Sequence, residues 1–247
     1  MQAESNENML NRTCIIVPCY NESASIKAVI DELAETAAEA EIVVINDGSS
    51  DSTFETAKMS GKATVIDLPI NLGVGGAVQT GLKYAFKSSK DFAIKVDGDG
   101  QHDPAHIATL LQPLITDQAD IVVGSRFLQE NSGFKSTIWR RVGIRFFQFL
   151  CQSLTGQRIT DPTSGFRAYN RHAIKFMANN YPSFDYPEPE EVILACKNNL
   201  RIVEVPVKMR NRQAGTSTIS SSISVYYMLK VTLAMLFIYL RKPEKKE

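Results

Sequence analysis

Between Cys14 and Arg126 the chain repeats one pattern five times: a short apolar run, a loop of acids, glycines and small polar residues, then a helix-forming stretch. The runs are Cys14 to Val17, Ile42 to Ile45, Ala63 to Leu68, Phe92 to Val96 and Asp120 to Val123. Apolar runs of this length fit strands covered on both faces, and strands alternating with helices predict a parallel, doubly wound sheet with its crevice along the carboxyl ends. The intervening stretches have helical spacing: Ile26, Val29, Ile30 and Leu33, with Ser23 or Ser25 as cap; Val78, Leu82 and Ala85; and Pro104 to about Ile115. A chain of 247 residues buries a core large enough for one such α/β domain, alone or with an appendage.

The fourth loop carries the most chemistry. Ile94 to Pro104 reads I-K-V-D-G-D-G-Q-H-D-P, so a buried strand would deliver Asp97, Asp99 and Asp103 to the sheet rim. Alternate residues Asp97, Asp99 and Gln101 offer hard oxygen ligands to one divalent cation, the donor type that suits Mg2+ or Mn2+. The same acids would also serve as a turn capping a helix at Pro104, and this stretch alone favours neither reading. No G-x-G-x-x-G follows the first strand and no G-x-x-x-x-G-K occurs, which argues against the usual dinucleotide and P-loop sites. Equal numbers of basic and acidic residues, 27 each, give no sign of nucleic-acid binding. The four cysteines lack metal-type spacing and read as buried, reduced thiols of a cytosolic protein. The polar, acidic start M-Q-A-E-S-N-E-N is unlike a secretory leader and reads as disordered.

Six motifs in order, V-P-C-Y-N-E, V-I-N-D-G-S-S-D-S-T, N-L-G-V-G-G-A, D-G-D-G-Q-H-D-P, G-S-R-F and D-P-T-S-G-F-R, resemble inverting family-2 glycosyltransferases of the GT-A fold. Within that family they look closest to dolichyl-phosphate mannose synthases and bacterial polyprenyl-phosphate glycosyltransferases. The resemblance covers nearly the whole chain and implies a mostly parallel Rossmann-like sheet with helices on both faces. It also implies a nucleotide-diphosphate-sugar donor, UDP favoured and GDP open. Pro18, Tyr20, Asn21 and Glu22 would line the nucleoside pocket, and Asp47 would accept a hydrogen bond from base or ribose. Gly73 and Gly76 would bring backbone close to the donor, beside Gly98. Asp97, Asp99 and Gln101 would surround the metal that neutralises the leaving diphosphate, Asp99 foremost. Arg212, Gln213 and Ser217 match a loop that closes over that diphosphate.

The implied acceptor is a polyprenyl phosphate, whose oxygen is already anionic and needs cations rather than a base. Arginine's planar fork suits phosphate. Arg126, an arginine of the Arg140 to Arg145 cluster such as Arg141, Ser164 and Arg167 are the candidate cradle, with Asp161 as a base or as a partner orienting an arginine. Glu190 stands near where hydroxyl-using relatives carry a catalytic acid and is the candidate general base, although acids in a first helical turn are also favoured by the helix dipole. Extension of a glycan at a hydroxyl, and a non-catalytic nucleotide-sugar-binding scaffold, are the competing functions.

Three regions follow: a disordered start at 1–11, a catalytic domain at 12–219 and a C-terminal helix with a basic tail at 220–247. In the helix from Thr137 to Leu154, Trp139, Val142, Phe146, Phe149 and Leu150 share one stripe and Arg141, Arg145, Gln148 and Gln152 another, as on an interfacial helix. Ser220 to Leu240 is apolar almost all round but carries Lys230, which is costly at the centre of a bilayer. The expectation is an interfacial or oligomer-forming helix, docked on the cytoplasmic face of the membrane or on a small membrane-protein partner.

Overall fold

The computed structural model describes residues 9–128, 138–210 and 223–242, without the side chains of 138–142 and 223–227. Among these, seven strands build one sheet: β1 (Thr13–Cys19), β2 (Glu41–Asn46), β3 (Thr64–Asp67), β4 (Phe92–Lys95), β5 (Ile121–Ser125), β6 (Arg167–Asn170) and β7 (Ile202–Pro206). Their order is β3-β2-β1-β4-β6-β5-β7. The five expected strands are present and run parallel, as does β7 beside β5.

One strand runs the other way. β6 lies between β4 and β5 and is antiparallel to both, pairing Lys95 and Val123 with Arg167. Its four residues, R-A-Y-N, contain no apolar run, and two apolar neighbouring strands supply the context that makes it a strand. Because β6 runs backwards, the segment leading into it arrives at the carboxyl ends of β4 and β5. The D-P-T-S-G-F motif is thereby delivered to the same sheet edge as D-G-D-G-Q-H.

The helices are α1 (Ile26–Thr36), α2 (Thr53–Met59), α3 (Gly73–Lys87), α4 (Ile107–Ile115, after a 3-10 turn at Pro104–His106), α5 (Ile138–Thr155), α6 (Arg171–Asn180), α7 (Glu188–Lys197) and α8 (Ile223–Leu240). Side chains alternate across β1: Ile15 and Val17 join the core under α1 and α4, whereas Cys14 and Ile16 join the one under α3 and α6. Both faces are covered, as a doubly wound sheet requires. A third cluster joins α5, α7 and α8 through Phe147, Cys151, Ile193, Val231 and Met235. Leu10 packs on the first cluster, so the ordered chain starts before Thr13; residues 1–8 of the expected disordered start lie outside the described residues.

Of the stripe expected on α5, Leu150 packs against the third cluster and the side chains of Trp139 and Val142 lie outside the described residues. Ile144, Phe147 and Cys151 face the core, whereas Phe146 and Phe149 are exposed, the latter by 69%. Helix α8 likewise buries Val231 and Met235 and exposes Leu229, Leu233, Leu236, Phe237 and Leu240. Among the described residues no helix is long and apolar enough to cross a membrane. All four cysteines are free, three of them buried.

Candidate active site at the carboxyl edge of the sheet

Three loops are stitched together at the ends of β1, β2 and β4. Asn21 adopts φ 56° and its side-chain oxygen accepts from the Ser50 N–H at 2.9 Å, while its own N–H donates to Ser49 Oγ. The Glu22 N–H donates to Thr53 Oγ1 at 2.8 Å and the Asp47 N–H to the Cys19 carbonyl. Ser25 begins α1 but makes no side-chain cap; its hydroxyl donates to the Gly98 carbonyl at 2.8 Å and lies 3.1 Å from Glu22 Oε2. The first and fourth motifs are thus pinned to each other, with Gly98 packed against Pro18 and Cys19. Tyr20 stands 49% exposed at the rim, available to a planar ligand, whereas Pro18 is buried inside β1 and is better described as wall material.

At the end of β4, Asp97 is half-buried and Asp99 is 8% exposed, with its Oδ1 accepting from the Gln101 N–H at 3.0 Å. Asp103 caps the 3-10 turn by accepting from the Ala105 N–H, the humbler role open to these acids. Two buried residues outside the expected site set support Asp97. Lys95 is enclosed, donating to Glu188 at 2.7 Å and lying 3.8 Å from Asp97 Oδ1. His102 accepts from the Asp97 N–H through Nδ1 at 3.0 Å and places Nε2 3.5 Å from Asp97 Oδ2. Burial lowers the His102 pKa to about 4, which keeps the imidazole neutral as the Nδ1 acceptor requires. Among the described residues no three His, Cys, Asp or Glu form a closed metal cluster. Asp97 and Asp99 offer the donor type that fits a cation such as Mg2+, which is commonly held by one or two carboxylates and completed by substrate phosphates.

The D-P-T-S-G-F loop meets this site directly: a Cβ on Gly165 would lie 3.0 Å from both Asp97 Oδ2 and Lys95 Nζ. Arg126 donates to Asp161 through Nε and Nη2, each at 2.6 Å, and reaches Thr163 at 2.9 Å. Glu204 on β7 accepts from the backbone N–H groups of Thr160 and Asp161 and holds the loop from behind. Of the two roles open to Asp161, the geometry has the orienting partner. Two expected phosphate ligands are placed differently. Ser164 is fully buried, its hydroxyl donating to the Gly124 carbonyl at 2.6 Å. Arg167 is 1% exposed, spent on the carbonyls of Pro162, Ser164 and Glu188 and on Glu191 at 3.2 Å. Both build the loop rather than face a ligand.

The glycines opening α3 also differ from expectation. The Gly75 N–H donates to the Phe184 carbonyl at 2.7 Å, and a Cβ at Gly73, where φ is +77°, would come within 2.6 Å of that oxygen. Gly76 faces Leu72 and the Phe184 ring. The small residues admit the 183–185 segment of the protein's own backbone. Asp47 is similarly engaged, accepting from the Leu72 N–H at 2.7 Å, with burial raising its pKa against the help of the Leu72 and Gly73 N–H groups. Glu190 is buried, hydrogen-bonded by Ser183, and pushed up to about 7 by that burial. Arg210 donates its N–H to the Gln101 carbonyl and its guanidinium to Asp103 and Glu32. Arg212, Gln213 and Ser217 lie outside the described residues, as does the side chain of Arg141.

Residues 14–177 match the model of the Glycosyl transferase family 2. The chain belongs to that family. A UDP-N-acetylglucosamine–dolichyl-phosphate N-acetylglucosaminyltransferase of Methanococcus voltae is 35% identical over 211 residues, 78% of this chain and 84% of the relative. An undecaprenyl-phosphate mannosyltransferase of Micrococcus luteus is 28% identical over 231 residues, 90% of this chain and 93% of the relative. Glucosyl-3-phosphoglycerate synthase from Mycobacterium tuberculosis, solved with Mg2+ and UDP, superimposes with a TM-score of 0.72 at 20% identity, covering 99% of this chain and 84% of that one. That likeness establishes the GT-A type of fold. This family-2 protein is a glycosyltransferase, and the sequence motifs that pointed there are the ones converging at the carboxyl edge.

Proposed function

We propose that this glycosyltransferase moves one sugar, with inversion, from a nucleotide diphosphate sugar to the phosphate of a polyprenyl lipid. The supporting observation is the contact between Asp97 and the Gly165 loop, which sets the carboxylates suited to a donor diphosphate against the loop that holds Arg126. The relatives named for dolichyl and undecaprenyl phosphate support the same acceptor class. An acceptor phosphate oxygen would form the new bond to the anomeric carbon while the bond to the diphosphate breaks, the nucleotide diphosphate leaving with the electron pair. Asp97 and Asp99, with Gln101, would hold Mg2+ or Mn2+, which when bound neutralises charge on the leaving diphosphate. Tyr20, Asn21 and Glu22 would receive the nucleoside, and Arg126, held in register by Asp161, would screen the acceptor phosphate. A UDP-sugar is favoured because relative and fold neighbour alike are named with uridine nucleotides.

The exposed rows Leu229, Leu233, Leu236, Phe237 and Leu240 on α8, with Phe146 and Phe149 on α5, would rest on the membrane where the lipid acceptor resides. Release of the protein from membranes by carbonate is the expected result; extraction by detergent alone would refute a peripheral contact. The decisive assay supplies purified protein with Mn2+, polyprenyl phosphate and a panel of nucleotide sugars. A lipid product carrying one sugar on a monophosphate is expected. No transfer to that lipid alongside transfer to a hydroxyl acceptor would overturn the reading.

One feature favours the hydroxyl alternative: Glu190 is buried and hydrogen-bonded by Ser183, and that burial pushes its carboxyl up to about 7, the range in which a general base works. Loss of transfer in Glu190→Gln with Arg126→Ala tolerated would select it. The opposite pattern selects the lipid phosphate.

A further inference from the structure

His102 sits inside the D-G-D-G-Q-H-D-P motif, yet neither of its ring nitrogens is available to a ligand. The ring is 3% exposed and stacks face to face on Phe166, with centroids 4.6 Å apart and planes 9° from parallel. Its two nitrogens address the same residue from two sides, Nδ1 the Asp97 N–H and Nε2 the Asp97 carboxylate. Because Nδ1 accepts, the neutral ring carries its proton on Nε2 and presents a donor toward Asp97 Oδ2. A single planar group therefore holds the Asp97 backbone by a hydrogen bond and lies 3.5 Å from its carboxylate. Phe166 follows Gly165, the residue packed against that carboxylate, so the acceptor-side loop supplies the wall that aims the ring. The His102 backbone adds an antiparallel bridge to Met209, close to Arg210 on Gln101.

We infer that His102 is a positioning residue for divalent-cation binding: clamped by Phe166, it fixes the Asp97 carboxylate as a ligand. The inference deepens the proposed donor site and rests on it. A ring packed only for core stability would have no reason to spend both polar atoms on one candidate ligand. Groups behind a metal ligand commonly set its orientation, and their loss weakens metal affinity by about 10- to 100-fold.

The test is Mn2+ titration of the full-length protein, read as free Mn2+ by electron paramagnetic resonance with UDP present, alongside UDP affinity without metal. His102→Phe keeps the stack and loses both contacts; it is expected to weaken Mn2+ by about 10- to 100-fold with metal-free UDP affinity retained. His102→Asn, whose Oδ1 replaces Nδ1 as acceptor for the Asp97 N–H, is expected to recover most of that loss. Wild-type Mn2+ affinity in His102→Phe would overturn the inference, as would parallel loss of metal-free UDP binding in both variants. A wild-type protein that binds UDP but no Mn2+ would instead refute the metal reading beneath it. Should His102→Phe fail to fold, 15N-histidine spectra of the wild type decide. His102 in the Nε2–H form, its nitrogens shifting when Mg2+ and UDP are added, is the expected result, and an unresponsive ring would sink the idea.

Discussion

The two sides of the carboxyl edge handle polarity in opposite ways. On the β1–β2 side, short side chains and backbone groups tie the loops together: Asn21 to Ser50, Glu22 to Thr53, Ser25 to Gly98. Tyr20 stands at the rim and Asp97 is half-buried. On the β5–β6 side, full charges are buried and paired: Arg126 with Asp161, Arg167 with Glu191, Lys95 with Glu188. The first arrangement leaves side chains to be read by a ligand. The second fixes a loop at high electrostatic stakes, because a buried pair stabilises little as a pair but is costly to break. Substitutions on the two sides should therefore fail differently, one in chemistry and the other in folding.

The largest effect is expected from Asp161→Ala. It strands the buried Arg126 guanidinium, which has Asp161 on two of its nitrogens. Removing one partner of a buried ion pair costs about 3–5 kcal/mol, so the denaturant midpoint should fall sharply and activity with it. A near-normal midpoint would show the pair to be more hydrated than its burial implies. Asp99→Asn should behave in the contrary way. Asparagine keeps the acceptor for the Gln101 N–H, so stability should hold. Loss of the charge should lower transfer by about 100-fold or more, the scale seen when a group stabilising transition-state charge is removed. Equal activity with intact folding would break the assignment of this side to the donor.

The contrast also explains what the sequence could and could not reveal. V-P-C-Y-N-E and D-G-D-G-Q-H are contiguous, so their chemistry was readable as local strings, and the five apolar strands announced the sheet that gathers them. The pairing of Lys95 with Glu188 spans 93 residues and cannot be read from either neighbourhood. A lysine flanked by Ile94 and Val96 in a strand covered on both faces was the available hint, since lysine is rarely buried unless paired. Arg167 and Ser164 looked like ligands because the D-P-T-S-G-F-R motif resembles an acceptor-phosphate cradle and arginine's fork suits phosphate; β6, too short and polar to announce itself, takes Arg167 into the sheet. The α3 glycines misled for a related reason. A small residue reports close approach of some backbone, and here the approaching chain is the protein's own 183–185 segment.

That segment leads into Glu190, whose titration gives a smaller, pH-dependent test. Burial raises its carboxyl from the ordinary 4.5 to about 7. Below about 4.5 both folded and unfolded states are protonated, and the group carries no penalty. Between those values the unfolded chain releases the proton that the folded one keeps, so its contribution to stability is lost as pH rises. Glu190→Gln, which retains an acceptor for Ser183, should flatten that decline and exceed the wild type in stability above about pH 7. Parallel denaturation curves for the two proteins at every pH would mean that Glu190 is solvated.

The smallest effect should come from Lys230→Ala. Lys230 on α8 pairs with Asp185 at 2.7 Å, but the two side chains are 40% and 52% exposed. Exposed pairs of this kind are worth about 0–1 kcal/mol and are screened by salt. The same segment is already held by the Phe184 carbonyl on Gly75 and by Ser183 on the buried Glu190. If those inner bonds place it, Lys230→Ala will shift the midpoint by under about 1 kcal/mol, and the difference will shrink further in high salt. A larger, salt-resistant loss would mean that α8, the helix proposed to lie on the membrane, governs how the segment sits over the start of α3.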